Sequence, residues 1–175
     1  MKYRALLPVL MAFFLLFIWG CGESPAPKAK ATLINSQGQK VGQAQLEETS
    51  KGVKITLTVE NLPPGTHAFH IHEKGLCDPP DFMTAGGHFN PFHKHHGLKN
   101  PAGPHAGDLP NLVVGADGKD TLEAVASLVT LKPGENSLFH PGGTSLVIHA
   151  GPDDYMTDPA GNAGARIACG VVTKQ

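Results

Sequence analysis

Residues 53–60 alternate between apolar and polar side chains without a break. Val53, Ile55, Leu57 and Val59 are apolar, and each residue between them is polar. This period of two places the four apolar side chains on one face of a β-strand whose other face is in water. The chain also contains 21 glycines and 15 prolines, which interrupt regular structure and disfavour long helices. The sequence therefore predicts an all-β protein built from short strands.

Other short apolar segments lie between turn signals. We predict further strands at 31–34, 41–47, 66–73, 112–115, 145–149 and 166–172. Residues 112–115 and the segment from Leu122 onward, separated by Asp117-Gly118, are typical of a hairpin, although the spacing after Leu122 also suits a short helix. Seven or eight strands of this length favour an antiparallel sandwich or barrel.

The first 21 residues have the pattern of a secretory signal. Lys2 and Arg4 precede an apolar run over residues 5–19, which is shorter than the roughly 20 residues of a membrane-spanning helix. The run leads into Gly20-Cys21 and resembles a bacterial lipoprotein processing site in which Cys21 receives the lipid. Trp19 departs from that pattern, because a small residue is usual there. An uncleaved N-terminal anchor is the alternative interpretation.

The membrane, and not nucleic acid, is the expected macromolecular partner. The signal pattern predicts an exported, extracytoplasmic protein that is anchored in the cell envelope through lipid on Cys21. Residues 22–30 are polar and contain prolines, which is typical of a flexible tether, so the folded domain is expected over 31–175. The 14 Lys and Arg against 15 Asp and Glu give a formal net charge of −1, which provides no general attraction for nucleic acid.

Export also constrains the three cysteines. If Cys21 carries lipid, Cys77 and Cys169 remain as a pair. An oxidising compartment favours a disulfide between them over two free thiols. Such a bridge closes a long loop, and the entropy that it removes from the unfolded chain corresponds to about 4–5 kcal/mol before strain is subtracted.

Histidine is the outlier of the composition, with ten residues, of which five lie between His88 and His105. On the strand predicted at 66–73, His70 and His72 share one face, about 6.5 Å apart. The stretch 74–111 contains six prolines and six glycines and has no periodicity. A loop of that length in a compact domain is usually functional.

These positions provide seven candidate metal ligands. They are His70, His72, His88, His96, His105, Asp108 and His149. Six imidazoles and one carboxylate suit zinc or copper, whereas calcium and magnesium prefer oxygen ligands. A zincin motif is excluded because Leu76 stands where its second histidine is required. For residues 93–96 the alternative is a solvated basic patch or a loose metal-binding tract.

Four segments resemble one known family, the copper/zinc superoxide dismutases, and within it the exported bacterial branch. They are 65–73 (GTHAFHIHE), 85–91 (AGGHFNP), 105–109 (HAGDL) and 161–171 (GNAGARIACGV). The resemblance extends from about residue 31 to 175. It implies an eight-stranded Greek-key β-barrel, an immunoglobulin-like sandwich, with a long metal-binding loop and a second loop over the active site.

The resemblance also implies a role for each matching residue. Copper would be bound by His70, His72, His88 and His149, and zinc by His88, His96, His105 and Asp108, with His88 as an imidazolate between the two metals. Arg166 would guide the anionic substrate. Asp153 would join a copper ligand to a zinc ligand. The Cys77–Cys169 disulfide would hold the metal loop against the strand of Arg166. His67 would have a hydrogen-bonding role, and His93, His95 and His140 would have no role at the metals.

The activity implied is the dismutation of superoxide to dioxygen and hydrogen peroxide, by alternating reduction and oxidation of copper and with a proton supplied by His88. It would protect extracytoplasmic components. The alternative is a non-catalytic copper- and zinc-binding protein. Monomer and homodimer are both compatible with the sequence. The family's usual guiding lysine is missing, because Pro159 and Ala160 stand near its place, so Lys94 and Lys99 are expected to steer superoxide instead.

Overall fold

The computed structural model describes residues 25–175, and in that range it contains ten β-strands, a short 3₁₀ turn and no α-helix. The strands are β1 (Lys28–Asn35), β2 (Lys40–Thr49), β3 (Gly52–Val59), β4 (Gly65–His67), β5 (Phe69–His72), β6 (Leu112–Val114), β7 (Asp120–Ala126), β8 (Ser145–His149), β9 (Arg166–Val171) and β10 (Thr173–Lys174). The 3₁₀ turn covers Met83–Ala85. The predicted all-β class is confirmed.

The strands form a curved antiparallel sheet that a smaller ladder completes. The main sheet has the order β5-β8-β9-β1-β2-β3-β7, with β10 beside β1, and β4 pairs with β6 separately. β6 lies beside β7, and the chain of β4 continues into β5, so the small ladder connects the two edges of the main sheet. Neighbouring strands are often distant in sequence, which is the property of a Greek key. The predicted Greek-key barrel is confirmed.

The hydrophobic core fills the inside of this barrel. The alternating residues of β3, Val53, Ile55, Leu57 and Val59, are each at most 1% exposed. They pack in one cluster with side chains from the other strands and from the loops, among them Leu33, Leu46, Leu109, Leu138, Leu146 and Ile148. Complete burial of one such side chain contributes about 1.5–3 kcal/mol. The buried core thus fixes the strands in place, and with them the starting points of the loops that connect the strands.

The strand predicted at 66–73 is divided at Ala68. The backbone N–H of Ala68 donates to the carbonyl of Gly151 at 2.8 Å, and its carbonyl accepts from the N–H of His149 at 2.9 Å. The chain therefore changes its partner here, because β4 pairs with β6 and β5 pairs with β8. This change places the start of β5 next to the end of β8.

The region after residue 111 differs from its prediction in two ways. The helical alternative is wrong, because Asp120–Ala126 form β7. The turn at Asp117-Gly118 is present, with Gly118 N–H donating to Gly115 at 2.9 Å, but its two arms do not form a hairpin ladder. β6 pairs with β4 and β7 with β3. The carboxylate of Asp120 accepts the N–H of Val113 at 3.0 Å, so this backbone group of β6 is satisfied although β6 and β7 form no ladder.

The N-terminal predictions lie largely outside the described residues. This applies to the signal over 1–21, to lipidation at Cys21 and to residues 22–24. β1 begins at Lys28, so the end of the predicted tether belongs to the sheet, with Ala29 buried and its neighbouring lysines exposed. Among residues 25–175, no helix has the length and apolar character needed to cross a bilayer.

Candidate metal centre

The metal loop, residues 74–111, is paired through its backbone with the edge strand β5. The N–H of Ile71 donates to the carbonyl of Gly107 at 2.9 Å, and the carbonyl of Ile71 accepts from the N–H of Phe89 at 2.8 Å. Gly107 comes so close that a Cβ at this position would collide with the Ile71 carbonyl oxygen. Both bonds lie at the edge of β5 that does not face β8, so the loop extends the sheet there, and only glycine permits this approach.

This pairing brings candidate ligands from three parts of the chain together. Isolated β-bridges join His70 with Asp108 and His72 with His88. β8, the neighbour of β5 on its other side, ends at His149. Side chains from β5, from the metal loop and from the end of β8 therefore converge. The spacing of these residues in the sequence did not by itself predict this convergence.

Four of the histidines form a buried group. His70, His72, His88 and His149 each contribute a nitrogen, and these nitrogens lie within 4.8 Å of one another. The converging nitrogens, Nδ1 of His70 and Nε2 of the other three, are buried and have no hydrogen-bond partner among residues 25–175. An unsatisfied buried polar group costs about 1–3 kcal/mol, so four at one point indicate a ligand that accepts their lone pairs. A copper ion fits this all-imidazole donor set.

The opposite nitrogen of each ring is held by a neighbouring group. The contacts are His72 Nδ1 to Gly86 O at 3.0 Å, His149 Nδ1 to Gly164 O at 3.1 Å, His70 Nε2 to Asp153 Oδ2 at 2.9 Å and His88 Nδ1 to Asp108 Oδ1 at 2.9 Å. Such contacts fix the orientation of each ring and determine which nitrogen is free for a metal.

A second group surrounds Asp108. Its Oδ1 lies 2.9 Å from Nδ1 of His88, 3.0 Å from Nδ1 of His96 and 3.5 Å from Nδ1 of His105. The Nδ1 atoms of His88 and His105 are 3.4 Å apart. In a tetrahedral site with zinc–ligand bonds of about 2.0–2.1 Å, ligand atoms are separated by about 3.3 Å. The separations of Asp108 from His88 and His96, and of His105 from His88 and Asp108, are close to this value, so these side chains are candidates for a zinc site. The ligand atoms of His88, His96, Asp108 and His70 lie within 4.8 Å of one another, and His105 is not part of this mutually close group.

Asp153 lies between the two groups. Its Oδ2 is 2.9 Å from Nε2 of His70, and its Oδ1 is 2.9 Å from Nε2 of His96. Only 3% of Asp153 is exposed, whereas the adjacent Asp154 is exposed and bonds to Thr157 in its own loop. Of these two neighbouring carboxylates, Asp153 is therefore the one that reaches both groups.

Two residues that hold Asp153 in place were not predicted from the sequence. The side-chain amide of Asn111 donates to the carbonyl of Asp153 at 3.0 Å, and its oxygen accepts the N–H of Asp153 at 2.9 Å. The N–H of Asn111 donates to the hydroxyl of Tyr155 at 2.8 Å. The only signal for Asn111 is its position three residues after Asp108, and this does not distinguish it from an ordinary turn residue.

Burial and charge determine the protonation of both groups. Burial lowers the pKa of His88 and of His149 from 6.5 to about 4, so these rings are neutral at neutral pH, as metal ligands must be. Burial also opposes protonation of His96, but hydrogen bonds to Asp108 and Asp153 outweigh it and raise the His96 pKa to about 9. Hydrogen bonds from histidines hold the pKa values of both carboxyl groups below their usual range despite burial.

Arg166 is half-buried at the start of β9, with its guanidinium fixed by the metal loop. Nη1 donates to the carbonyl of Phe82 at 2.6 Å and Nη2 to the carbonyl of Gly86 at 2.7 Å. The Cys77–Cys169 disulfide, as predicted, joins the same loop to β9. β9 thus carries the guanidinium of Arg166. The same strand is also bonded covalently to the metal loop, which orients that guanidinium.

The remaining histidines have other environments. Both ring nitrogens of His67 lie 2.8 Å from backbone carbonyl oxygens, in keeping with its predicted hydrogen-bonding role. His140 stacks on Phe89, with ring centroids 5.0 Å apart. His93 and His95 are exposed, and neither belongs to the two metal-ligand groups among residues 25–175.

The chain is similar to known proteins both in sequence and in structure. Residues 40–172 match the family described as copper/zinc superoxide dismutase. The chain is 59% identical over 147 residues to "Superoxide dismutase [Cu-Zn] 1" of Aquifex aeolicus, covering 83% of this chain and 87% of that protein. The crystal structure of a SOD-like protein from Bacillus subtilis is 45% identical with a TM-score of 0.79, covering 81% of this chain and 96% of that one. The Cu/Zn superoxide dismutase from Brucella abortus is 34% identical with a TM-score of 0.68, covering 82% and 98%.

Proposed function

The chain belongs to the copper/zinc superoxide dismutase family, and on this basis we propose that it converts two superoxide ions and two protons into one dioxygen and one hydrogen peroxide. The observation that carries the proposal is the adjacency of two buried ligand groups, both of which include the ring of His88. One group is all imidazole and the other combines imidazoles with a carboxylate, which suits two different metals.

We assign copper to His70, His72, His88 and His149, and zinc to His88, His96, His105 and Asp108. His70 approaches both groups, but its Nε2 contacts Asp153 and its Nδ1 faces the other copper ligands. His105 presents Nδ1 to both His88 and Asp108, which supports His105 as the fourth zinc ligand.

Copper supplies reversible one-electron redox chemistry when bound, and zinc, which has no redox chemistry, supports the structure. The chain itself contributes a proton carrier and an anion-binding group. Nε2 of His88 faces the copper ligands while its Nδ1 contacts Asp108, so Nε2 is the atom that would take up and release a proton. Burial of this ring favours its neutral form, which makes the proton easy to return to the product.

Arg166 would bind and orient superoxide. Its guanidinium is a permanent cation with a planar set of donors, and the carbonyls of Phe82 and Gly86 hold it in one orientation. A preorganised cation at the substrate site provides attraction without rearrangement during the reaction.

The test compares superoxide removal by the full chain, loaded with copper and zinc, with that of His149→Ala. We expect the variant to lose the activity, because one of four copper ligands is removed, whereas His93→Ala, a control at an exposed histidine, should retain it. A loaded wild-type protein that binds both metals but does not remove superoxide would instead support the non-catalytic metal-binding alternative.

We further propose that the protein is exported and anchored in the cell envelope through lipid on Cys21, where it protects extracytoplasmic components. The basic residues and apolar run before Cys21 support this proposal. Cys21→Ser should move the protein from the membrane fraction to the soluble fraction. Whether the exported form is a monomer or a homodimer can be measured on that soluble variant by sedimentation.

A further inference from the structure

The carboxylate of Asp158, in the second loop (residues 150–165), contacts two consecutive residues of the metal loop. Oδ1 accepts a hydrogen bond from the backbone N–H of His96 at 2.6 Å, and Oδ2 lies 2.6 Å from Nδ1 of His95. The side chains of Asp158 and His95 are 46% and 63% exposed, so burial in a core does not explain this arrangement. Asp158 is not among the ligands proposed above.

The two loops fit closely around this contact. The N–H of Lys99 donates to the carbonyl of Tyr155 at 3.1 Å, and the amide of Asn100 donates to the carbonyl of Met156 at 3.4 Å. Gly97 has a φ of +113°, and a Cβ at this position would collide with the Tyr155 carbonyl. The backbones of 96–100 and 155–158 are therefore in direct contact, beside the carboxylate of Asp158.

His96 is thereby held at three points by three aspartates. Its Nδ1 lies 3.0 Å from Asp108, its Nε2 lies 2.9 Å from Asp153, and its N–H donates to Asp158. The contacts to the ring fix its orientation, whereas the contact to the N–H fixes the backbone from which the ring projects. Two of the three aspartates belong to the second loop, so the order of that loop and the position of His96 depend on each other.

We infer that Asp158 is a positioning residue for zinc binding, which acts by holding the backbone amide of His96. The inference rests on the proposed function, in which His96 is a zinc ligand. Groups that orient a metal ligand typically change metal affinity about 10- to 100-fold when they are removed. Asp158 differs from the usual case because it orients the ligand through the main chain and not through the ring.

The primary experiment measures the rate at which zinc passes from the loaded full chain to a chromogenic chelator. Asp158→Ala should release zinc about 10- to 100-fold faster than the wild type. Asp158→Asn should release it at close to the wild-type rate, because the amide oxygen of asparagine still accepts the His96 N–H. If Asp158→Asn releases zinc as fast as Asp158→Ala, the hydrogen bond is not responsible and the inference is wrong.

Two control variants distinguish this positioning role from a general loss of order in the loops. Asp154→Ala removes a carboxylate whose hydrogen bonds, in the part of the chain that the structure describes, all lie within the second loop, to residues such as Thr157 and Asn162. Asp117→Ala removes an exposed turn carboxylate that accepts the Lys119 N–H at 3.2 Å. Both should release zinc much more slowly than Asp158→Ala. Equal release from Asp154→Ala and Asp158→Ala would overturn the inference.

A second measurement does not depend on zinc. In the metal-free chain, Asp158→Ala should increase amide hydrogen exchange in both 93–104 and 150–165, and Asp158→Asn should restore protection. If the wild type binds no zinc, the proposed function fails, while exchange still tests the loop contact. If the wild type binds zinc and Asp158→Ala changes neither exchange nor release, the positioning role alone fails. The visible spectrum of cobalt in the zinc site should also change in Asp158→Ala but not in Asp158→Asn.

Discussion

Arg166 and His72 donate hydrogen bonds to the same backbone oxygen, that of Gly86, at 2.7 and 3.0 Å. One bond comes from the group proposed to bind superoxide and the other from a proposed copper ligand. The segment that carries Gly86 is firmly placed, because Phe82 and Ala85 are fully buried in a cluster with Cys169. A single carbonyl therefore aligns the anion-binding group with the redox site.

Replacement of Arg166 tests this alignment. Arg166→Ala should lower kcat/KM for superoxide by about 10- to 100-fold, because the local positive potential and the donors are lost. Arg166→Lys should give an intermediate rate, since lysine keeps the charge but cannot reach two carbonyls and the substrate together. Pulse radiolysis at several ionic strengths measures the effect, with copper content determined in parallel. An unchanged rate at equal copper content would contradict the role of Arg166.

Removal of the disulfide should affect both stability and activity. The double variant Cys77→Ala, Cys169→Ala is expected to lose about 2–5 kcal/mol of unfolding free energy, measured by urea denaturation of the metal-free chain. Superoxide removal should also fall, because the loop that presents Gly86 to Arg166 is no longer attached to β9. Cys21→Ala is the matched control, since Cys21 is the remaining cysteine of the sequence and takes no part in the Cys77–Cys169 bridge. A double variant as stable as this control would show that the bridge contributes nothing.

Asp153 is expected to support both metals. In Asp153→Asn the side chain keeps its shape, but only one oxygen remains to accept a hydrogen bond, so His70 or His96 loses its partner. Affinity for at least one metal should fall about 10- to 100-fold, as measured by competition with chelators. Asp154→Asn, at the adjacent exposed carboxylate, should leave both affinities unchanged. If Asp154→Asn lowers the metal affinity more than Asp153→Asn does, the assignment of this role to Asp153 is wrong.

The strands were predictable where the pattern is local. β3 matches its alternating sequence, and the common face of His70 and His72 follows from the period of two. The partners of β6 and β7 were not predictable from their turn. Strand pairing depends on which distant strand covers an apolar face, and here that strand is β4 or β3. The division of the strand predicted at 66–73 was not predictable for the same reason. It depends on hydrogen bonds between Ala68 and two residues that are distant in sequence, Gly151 and His149.

Candidate metal ligands can be proposed from the sequence because coordination chemistry restricts ligands to a few residue types at recognisable spacings. Asn111 and Asp158 could not be proposed in this way, because they act on backbone N–H and C=O groups, which every residue possesses. Such contacts depend on how two loops fold against each other. Sequence patterns therefore predicted the residues that are proposed to contact metal, together with Asp153, and missed Asn111 and Asp158, which act through the backbone.

The stability of the metal-free chain should be greatest near pH 6.5. The folded pKa values of His88 and His149, about 4, lie below the ordinary value of 6.5, so the unfolded chain binds more protons in that interval and stability falls as the pH decreases from 6.5 to 4. The His96 pKa of about 9 lies above 6.5, so its contribution is lost as the pH rises from 6.5 to 9.

Urea denaturation in the presence of a chelator, at about pH 4.5, 6.5 and 8.5, measures this dependence. A continuous increase in stability from the lowest to the highest pH would contradict the raised pKa of His96. With zinc bound, the decline above pH 6.5 should disappear, because the metal replaces the proton on His96.

Lys94 and Lys99 are expected to steer superoxide toward the site, because no lysine occupies the family's usual position. Both are exposed on the metal loop, and Nζ of Lys99 lies 5.2 Å from the ring centroid of Tyr155 in the second loop. The double variant Lys94→Glu, Lys99→Glu should lower the association rate at low ionic strength by about 10-fold and reduce its decrease with added salt.

The matched control for this steering effect is Lys40→Glu, Lys119→Glu, which changes the net charge equally at two lysines that lie together on the barrel surface beside Thr58 and Asp120. We expect a much smaller change in rate from this pair, because neither lysine belongs to the metal loop or to the second loop and exposed charges act only over a short range in salt. If both double variants lower the rate equally, net charge rather than the position of Lys94 and Lys99 governs the capture of superoxide.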